Sequence, residues 1–378
     1  MKGMLSLYVH IPFCRDRCPY CDFFLVTRTD HIDRFFEALA EETLAKAEIL
    51  GKQEIKAVHF GGGTPSMVPP DRLGRWIGMV AGLSCLSPDT EITLEANPED
   101  LEPVRLDGFR EAGVNRISIG CQSFGERKLA VLGRRHTRDD VFRAVQDSMI
   151  RFDSVSVDLM CGVEGETSAE WENDLRCVIG CGLPHVSVYM LTLEEKTVLS
   201  KNVRNGLVVL PGDDLLAELY EQAASVLAGR GYRHYEVSNY ALSGHHSRYN
   251  LACWMREPYL GFGPSAHSFL VDGEDETRFS NVRSLIRYLE HPAGAVDSVE
   301  VLTPSQRFNE EVFLSLRINR GLSVEFLRKA HKLGHQRLTA ALRDFQDNGW
   351  ISIEDNVLTL TGKGFLFADL IAEALILE

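Results

Sequence analysis

The sequence predicts an α/β protein: a partial (βα)6 barrel followed by a small winged-helix-like α+β module. Three observations carry that expectation. Six β-prone runs alternate with amphipathic helical runs at intervals of roughly 30 to 40 residues, the pattern of βα units and a parallel sheet. Six units are too few to close an eight-fold barrel. From about residue 300 the pattern changes to helices followed by a hairpin signal. The division expected is a barrel over 1–240, a connecting region over 241–300 and the small module over 301–378.

Taken in order, Leu5-Ser6-Leu7-Tyr8-Val9-His10-Ile11 alternates as a strand does and leads into a cysteine loop. Asp30 is placed to cap a helix that puts Ile32, Phe35, Phe36 and Leu39 on one face. The strand 55–60 ends in Gly61-Gly62-Gly63-Thr64-Pro65, and a helix over 72–83 follows. Strand 91–95, helix 99–112, strand 116–120, helix 138–150, strand 154–159, helix 168–181 and strand 185–189 complete the run. Helix 213–229 and the segment 234–238 extend the open edge. After the linker-like His291-Pro292-Ala293-Gly294-Ala295, Pro304 opens a helix with Phe308, Val312, Phe313 and Leu316 on one face. Helices near 323–332 and 335–348 precede two β-runs that flank Asp355-Asn356.

Composition excludes several classes. With 44% hydrophobic and 25% charged residues the chain is ordinary for a globular protein. It has no run long enough to span a bilayer, and Met1-Lys2-Gly3 does not start a signal peptide, so the cytoplasm is expected. Nine cysteines in that setting point to metal work rather than disulfides. Cys85, Cys121, Cys161, Cys177 and Cys181 lie in or beside apolar runs and read as buried small hydrophobes. A net charge of −14 argues against a broad nucleic-acid surface. The winged-helix-like module, with 9 Lys plus Arg against 10 Asp plus Glu, has no basic face either, so docking beside the barrel is the expected role.

The chemistry centres on Cys14-Arg15-Asp16-Arg17-Cys18-Pro19-Tyr20-Cys21. A [4Fe–4S] cluster is normally held by four thiolates, one per iron. Three thiolates spaced C-x3-C-x2-C leave one iron open, and an open position is where chemistry occurs. The alternatives are a zinc knuckle or three unrelated cysteines. Zinc would want a fourth ligand at short spacing, and Asp22-Phe23-Phe24 offers none.

Other polar signals cluster at strand ends, the active-site rim of such barrels. The glycines Gly61, Gly62 and Gly63 with Thr64 let backbone approach a ligand, or simply make a flexible turn. Glu95, Gln122, Arg134 and Asp158 are each ambiguous alone, a solvated loop charge or polar group being as good a reading.

Several strings together change this. Tyr8-Val9-His10-Ile11-Pro12-Phe13-Cys14, Gly61 to Ser66, Leu94-Glu95-Ala96-Asn97-Pro98, Gly113 to Gly120, Gln122-Ser123-Phe124 and Gly261 to Ser268 resemble the coproporphyrinogen-dehydrogenase-like branch of radical S-adenosylmethionine (SAM) proteins. The likeness runs from about residue 5 to the C-terminus. It implies a cluster on Cys14, Cys18 and Cys21 whose open iron is chelated by SAM. It also implies a SAM site formed by Tyr8, the stretch Gly61–Thr64, Glu95, Gln122, Arg134 and Asp158, with Phe23 against the adenine. Asp158 would suit the ribose hydroxyls and Arg134 the SAM carboxylate.

The branch holds dehydrogenases that decarboxylate propionates and chaperones that bind haem and deliver it to clients. The dehydrogenases carry a further cysteine two residues after the third, where this chain has Phe23, and a long segment before the cluster, where it has 13 residues. Both features favour the chaperone, with haem or a porphyrin and a client protein as partners. A flavodoxin- or ferredoxin-like reductant is also expected, with membrane contact only through a client and no nucleic acid. One motif departs. The chaperones' His-Asn-x-x-Tyr-Trp corresponds here to Tyr249-Asn250-Leu251-Ala252-Cys253-Trp254, so Asn250 and Trp254 match and the His and Tyr positions do not. Tyrosinate and thiolate are also haem ligands, so Tyr249 and Cys253 are candidates, with His245 and His246 as alternatives. Ordinary packing is the competing reading for each.

Overall fold

A computed structural model describes residues 3–51, 53–330 and 335–377. In chain order the barrel half reads β1 (Gly3–Ile11), α1 (Ile32–Ala45), β2 (Gln53–Gly62), α2 (Pro70–Leu83), β3 (Cys85–Ala96), α3 (Pro103–Glu111), β4 (Arg116–Gln122), α4 (Arg138–Arg151), β5 (Ser154–Cys161), α5 (Ser168–Cys181), β6 (His185–Met190) and α6 (Asp213–Ala228). Then come β7 (Arg233–Glu236), β8 (Asn239–Ala241), α7 (Arg248–Trp254), β9 (Tyr259–Phe262), β10 (His267–Asp272), β11 (Asp275–Asn281) and β12 (Val296–Val301). The strands form one sheet ordered β12-β11-β10-β9-β1-β2-β3-β4-β5-β6-β8-β7. Pairing is parallel from β9 through β1 to β6 and antiparallel at both ends. The six parallel strands β1 to β6 are thus as the sequence predicts, and β9 adds a seventh beside β1. The stretch 241–300, read as a connecting region, supplies four more strands to the same sheet.

Alternation explains how the sheet is covered and what it presents. On β1, Leu5, Leu7, Val9 and Ile11 are buried in a core with Phe35 and Leu39 of α1. Ser6, Tyr8 and His10 therefore point to the opposite face, into the barrel interior. Thr137 and Thr167 open α4 and α5 with complete capping boxes.

The C-terminal unit holds α8 (Pro304–Ser315), β13 (Leu322–Ser323), α9 (Val324–Ala330), α10 (His335–Asp347), β14 (Ile351–Glu354), β15 (Val357–Leu360) and α11 (Ala368–Leu375). A small antiparallel sheet, β13-β15-β14, forms the wing. Its own core includes Val312, Leu327, Leu342, Leu358 and Ile371, and Tyr220 of α6 packs into it. Val237 N donates to Arg317 O at 2.9 Å, so the unit covers the β7–β8 end of the large sheet. Covering a sheet edge removes a template for aggregation.

Four expectations need correction. Asp30 does not cap α1: His31 holds that position without a side-chain bond, and the Asp30 carboxylate is taken by Arg28 at 2.6 Å. Cys85 is exposed, because it begins β3 six residues before the predicted strand, on an outlying end of the sheet. Cys177 and Cys181 are half-buried on α5 rather than buried. Helix 99–112 is a 3-10 turn at Pro98–Asp100 followed by α3, since Pro103 restarts the chain at a first-turn position. Part of the helix expected near 323–332 lies outside the described residues. Among the described residues no helix is long and apolar enough to cross a membrane.

Candidate functional site

The cysteine loop is built on a short parallel clasp. Cys14 N donates to Val26 O at 3.0 Å, and Val26 N to Pro12 O at 2.7 Å. Arg17 then reaches across the loop and donates to the carbonyls of Cys21, Phe23 and Leu25, each at 3.2 Å. Arg283 donates to Asp22 O at 3.0 Å, while Arg15 and Asp16 pair with Asp100 and Arg135. Three carbonyls that no regular structure serves are thus satisfied by one guanidinium.

The glycine run sits directly beneath this loop. Gly63 N donates to Ile11 O at 2.8 Å and Thr64 N to Phe13 O at 2.7 Å. A Cβ on Gly62, whose φ is +108°, would lie 2.7 Å from the His10 ring, and one on Gly63 would lie 2.7 Å from Phe13 O. The glycines are needed first to let the cysteine loop close down on β2. Thr64 Oγ1 and Cys14 Sγ are 3.2 Å apart.

These elements enclose a cavity of about 670 Å³ at the C-terminal ends of the strands. Cys14, Cys18, Cys21, Phe23, Gly62, Gly63, Thr64, Glu95, Gln122, Arg134 and Asp158 all line it. Tyr8, Gly61, Tyr249 and Cys253 do not. Tyr8 and Tyr249 lie in the barrel interior beneath, their rings 6.1 Å apart. The helical turn of α7 does put Tyr249 and Cys253 four residues apart on one face. Burial pushes the Cys253 thiol up to about 12 and the Tyr249 phenol well above its ordinary value. Without a bound metal both therefore stay protonated near neutrality.

Within the cavity each polar group has a definite support. Arg134 donates to Asn97 Oδ1 at 2.6 Å and Gly120 O at 2.8 Å, and its Nη1 lies 3.6 Å from Cys18 Sγ. Burial pushes the Cys14 thiol up to about 11, so that proton must be displaced by metal rather than lost to solvent. Gln122 adopts φ 65°, a left-handed conformation that a non-glycine residue holds only under constraint. The constraint is visible next to it. Asp174 accepts from Phe124 N at 2.7 Å and from Ser123 Oγ, Glu166 accepts from Gly162 N at 2.6 Å, and Lys128 joins the two carboxylates from a fully buried position. That lysine ties the turn after β4 to the turn after β5.

Asp158 accepts from Ser118 Oγ at 3.3 Å, and its carboxyl is pushed up to about 6, chiefly by burial. Glu95 Oε1 accepts from His59 Nε2 at 2.9 Å. Asn97, Tyr20, Met160, Tyr189 and Met190 also line the cavity and were not singled out from the sequence. Asn97 lies inside a string that was recognised. Tyr20 lies inside the cysteine string, and Met160, Tyr189 and Met190 carry no signal in one sequence beyond lying at a strand end.

Among the described residues no three His, Cys, Asp or Glu side chains gather as ligands of a single ion. The three thiols suit a larger body instead, a cubane offering one iron to each thiolate. The cavity, walled by these thiols at one end and by acceptors and the arginines Arg15, Arg134 and Arg135 elsewhere, has the character of a site for an iron–sulfur cluster and a zwitterionic organic ligand.

Fold and site together define a radical-SAM protein. Residues 8–178 match the model of the radical SAM superfamily, and residues 302–367 match the HemN C-terminal domain. Within that class the chain belongs to the HemW family. It is 33% identical over 372 residues to the heme chaperone HemW of Bacillus subtilis, covering 97% of each chain. To the HemW of Mycobacterium tuberculosis it is 35% identical over 379 residues, covering 98% of this chain and 94% of the other. To the mitochondrial radical S-adenosyl methionine domain-containing protein 1 of Danio rerio it is 32% identical, covering 99% and 87%. Its fold is that of the coproporphyrinogen III oxidase HemN from Escherichia coli, with a TM-score of 0.84, 22% identity and coverage of 99% and 90%.

Proposed function

We propose that this chain is a cytoplasmic haem chaperone that carries a [4Fe–4S] cluster on Cys14, Cys18 and Cys21, binds SAM in the adjoining cavity and passes haem to a client protein. The observation that carries this reading is the likeness to heme chaperones along nearly the whole of both chains, C-terminal unit included. The cavity supports it. About 670 Å³ lies within the ordinary range for a ligand pocket. In the barrel interior below, the rings of Tyr8, His59 and Tyr249 stack on one another.

Bound together, cluster and SAM supply one-electron chemistry, with a flavodoxin- or ferredoxin-like protein as the source of the electron. The chain's own residues do the holding. Arg134 keeps positive charge beside Cys18 and faces the carboxylate end of the ligand. Glu95, steadied by His59, accepts from the amino group, Gln122 offers its amide, Asp158 accepts from the ribose hydroxyls, and Phe23, two-thirds exposed at the cavity lip, stacks on the base. The barrel and the region 241–300 share one sheet, and the unit over 301–378 covers its edge.

The reading is tested by giving cluster-loaded protein SAM, a reductant and coproporphyrinogen III in one assay and haem in another. Stoichiometric haem binding without decarboxylated porphyrinogen is expected. Decarboxylated product formed catalytically would make the chain a dehydrogenase instead.

A further inference from the structure

Tyr249 stands at the altered position of the chaperones' motif, yet its ring is turned inward. Three nearly parallel rings cross the barrel interior: Tyr8 from β1, His59 from β2 and Tyr249 from α7. The His59 and Tyr249 centroids are 4.8 Å apart with planes 24° from parallel, and Tyr8 lies 6.1 Å from each. His59 Nε2 bonds Glu95 Oε1 at 2.9 Å, while its buried Nδ1 has no hydrogen-bond partner among the described residues. An imidazole held by one hydrogen bond can still rotate about its ring torsion, which is broad for aromatic side chains. The stacked face of Tyr249 removes that freedom.

The helix that presents Tyr249 is itself tied to the strand that carries Glu95. Glu91 Oε1, on β3 four residues before Glu95, accepts from Arg248 N at 2.9 Å and Tyr249 N at 3.3 Å. Ser247 caps the same helix, its Oγ accepting from Asn250 N at 3.2 Å. The circuit is closed: β3 fixes α7 at Glu91, α7 sets Tyr249 against His59, and His59 holds Glu95 at the other end of β3. Glu95 is 40% exposed to the cavity and lies over Gly61, where an added Cβ would come within about 3.0 Å of its carboxylate. Gly61 leaves the space and His59 sets the direction.

We infer that Tyr249 is a positioning residue of the SAM site, acting through His59 on Glu95, and not a haem ligand. This rests on the reading of the cavity as a SAM site, and it couples the helix of the altered motif to that cavity.

The test measures SAM affinity of the cluster-loaded protein by equilibrium dialysis, with cluster content read from absorption. Tyr249→Ala is expected to weaken binding about two- to tenfold, the effect of one lost aromatic pair. Tyr249→Phe keeps the ring and is expected to keep both the SAM affinity and the haem spectrum of the parent. His59→Ala should lose as much as Tyr249→Ala, and the double variant no more than either, because both act through one bond. Should Tyr249→Ala fail to fold, Tyr249→Leu fills the space without a ring face and is expected to show the same loss. Full SAM affinity in the folded Ala or Leu variant, or losses that add in the double variant, overturns the inference. So does a Tyr249→Phe protein with an altered haem spectrum. A parent protein that binds no SAM overturns the reading of the cavity itself, and that is seen before any variant is made.

Discussion

Asp158 is placed to trade stability for binding. Its carboxyl is pushed from 3.8 to about 6 by burial, with the hydroxyls of Ser187 and Ser118 offsetting part of that cost. A raised carboxyl favours the neutral form in the fold, so nothing is lost below pH 3.8, the cost grows up to about pH 6, and it is complete above that. At about 1.4 kcal/mol per pH unit the cost at pH 8 is at most ~3 kcal/mol, and less in practice because the cavity admits water. The perturbation is Asp158→Asn, which keeps the shape and removes the charge. Unfolding in denaturant should show the variant more stable than the parent at pH 8, with the difference disappearing at pH 4. SAM binding should move the other way. A hydrogen bond to a charged acceptor exceeds a neutral one by about 1 kcal/mol, so SAM affinity of the parent should rise about fivefold as pH passes through 6. In Asp158→Asn it should be lower at pH 8 and flat across that range. An Asn variant that is less stable than the parent at pH 8, or a parent that binds SAM equally on both sides of pH 6, would refute the reasoning.

Cys18→Ala should abolish the cluster's absorption and paramagnetic signal, since two thiolates leave two irons unanchored, whereas Cys85→Ala, exposed at the start of β3, should leave both intact. Survival of the cluster in the first variant removes the assignment. Lys128→Met leaves Glu166 and Asp174 buried and unpaired and should cost about 3–5 kcal/mol in denaturant unfolding. A loss below about 1 kcal/mol would mean that the clasp between the two turns is not held by this lysine.

What was legible in the sequence follows the range of the forces involved. Alternation on β1 and the capping threonines of α4 and α5 act locally, and those elements fall where the sequence puts them. The cysteine loop and the glycine run are local as well, though the reason for the glycines is a contact between β1 and β2 that spacing does not reveal. The edge strands β9 to β12 were missed because short strands with mixed polarity depend on their neighbours more than on their own residues. The same limit applies to Tyr249. Its position in a motif suggested a ligand, while its partners, His59 and Glu91, lie more than 150 residues away in sequence.

A haem chaperone passes haem to its client unchanged. Haem-loaded protein should be mixed with an excess of an apo haem protein, and transfer followed by the acceptor's absorption while the tetrapyrrole is recovered and weighed by mass spectrometry. Transfer of intact haem is expected, with the protein free to reload. Haem that stays bound, or a tetrapyrrole recovered with its propionates decarboxylated, would contradict it.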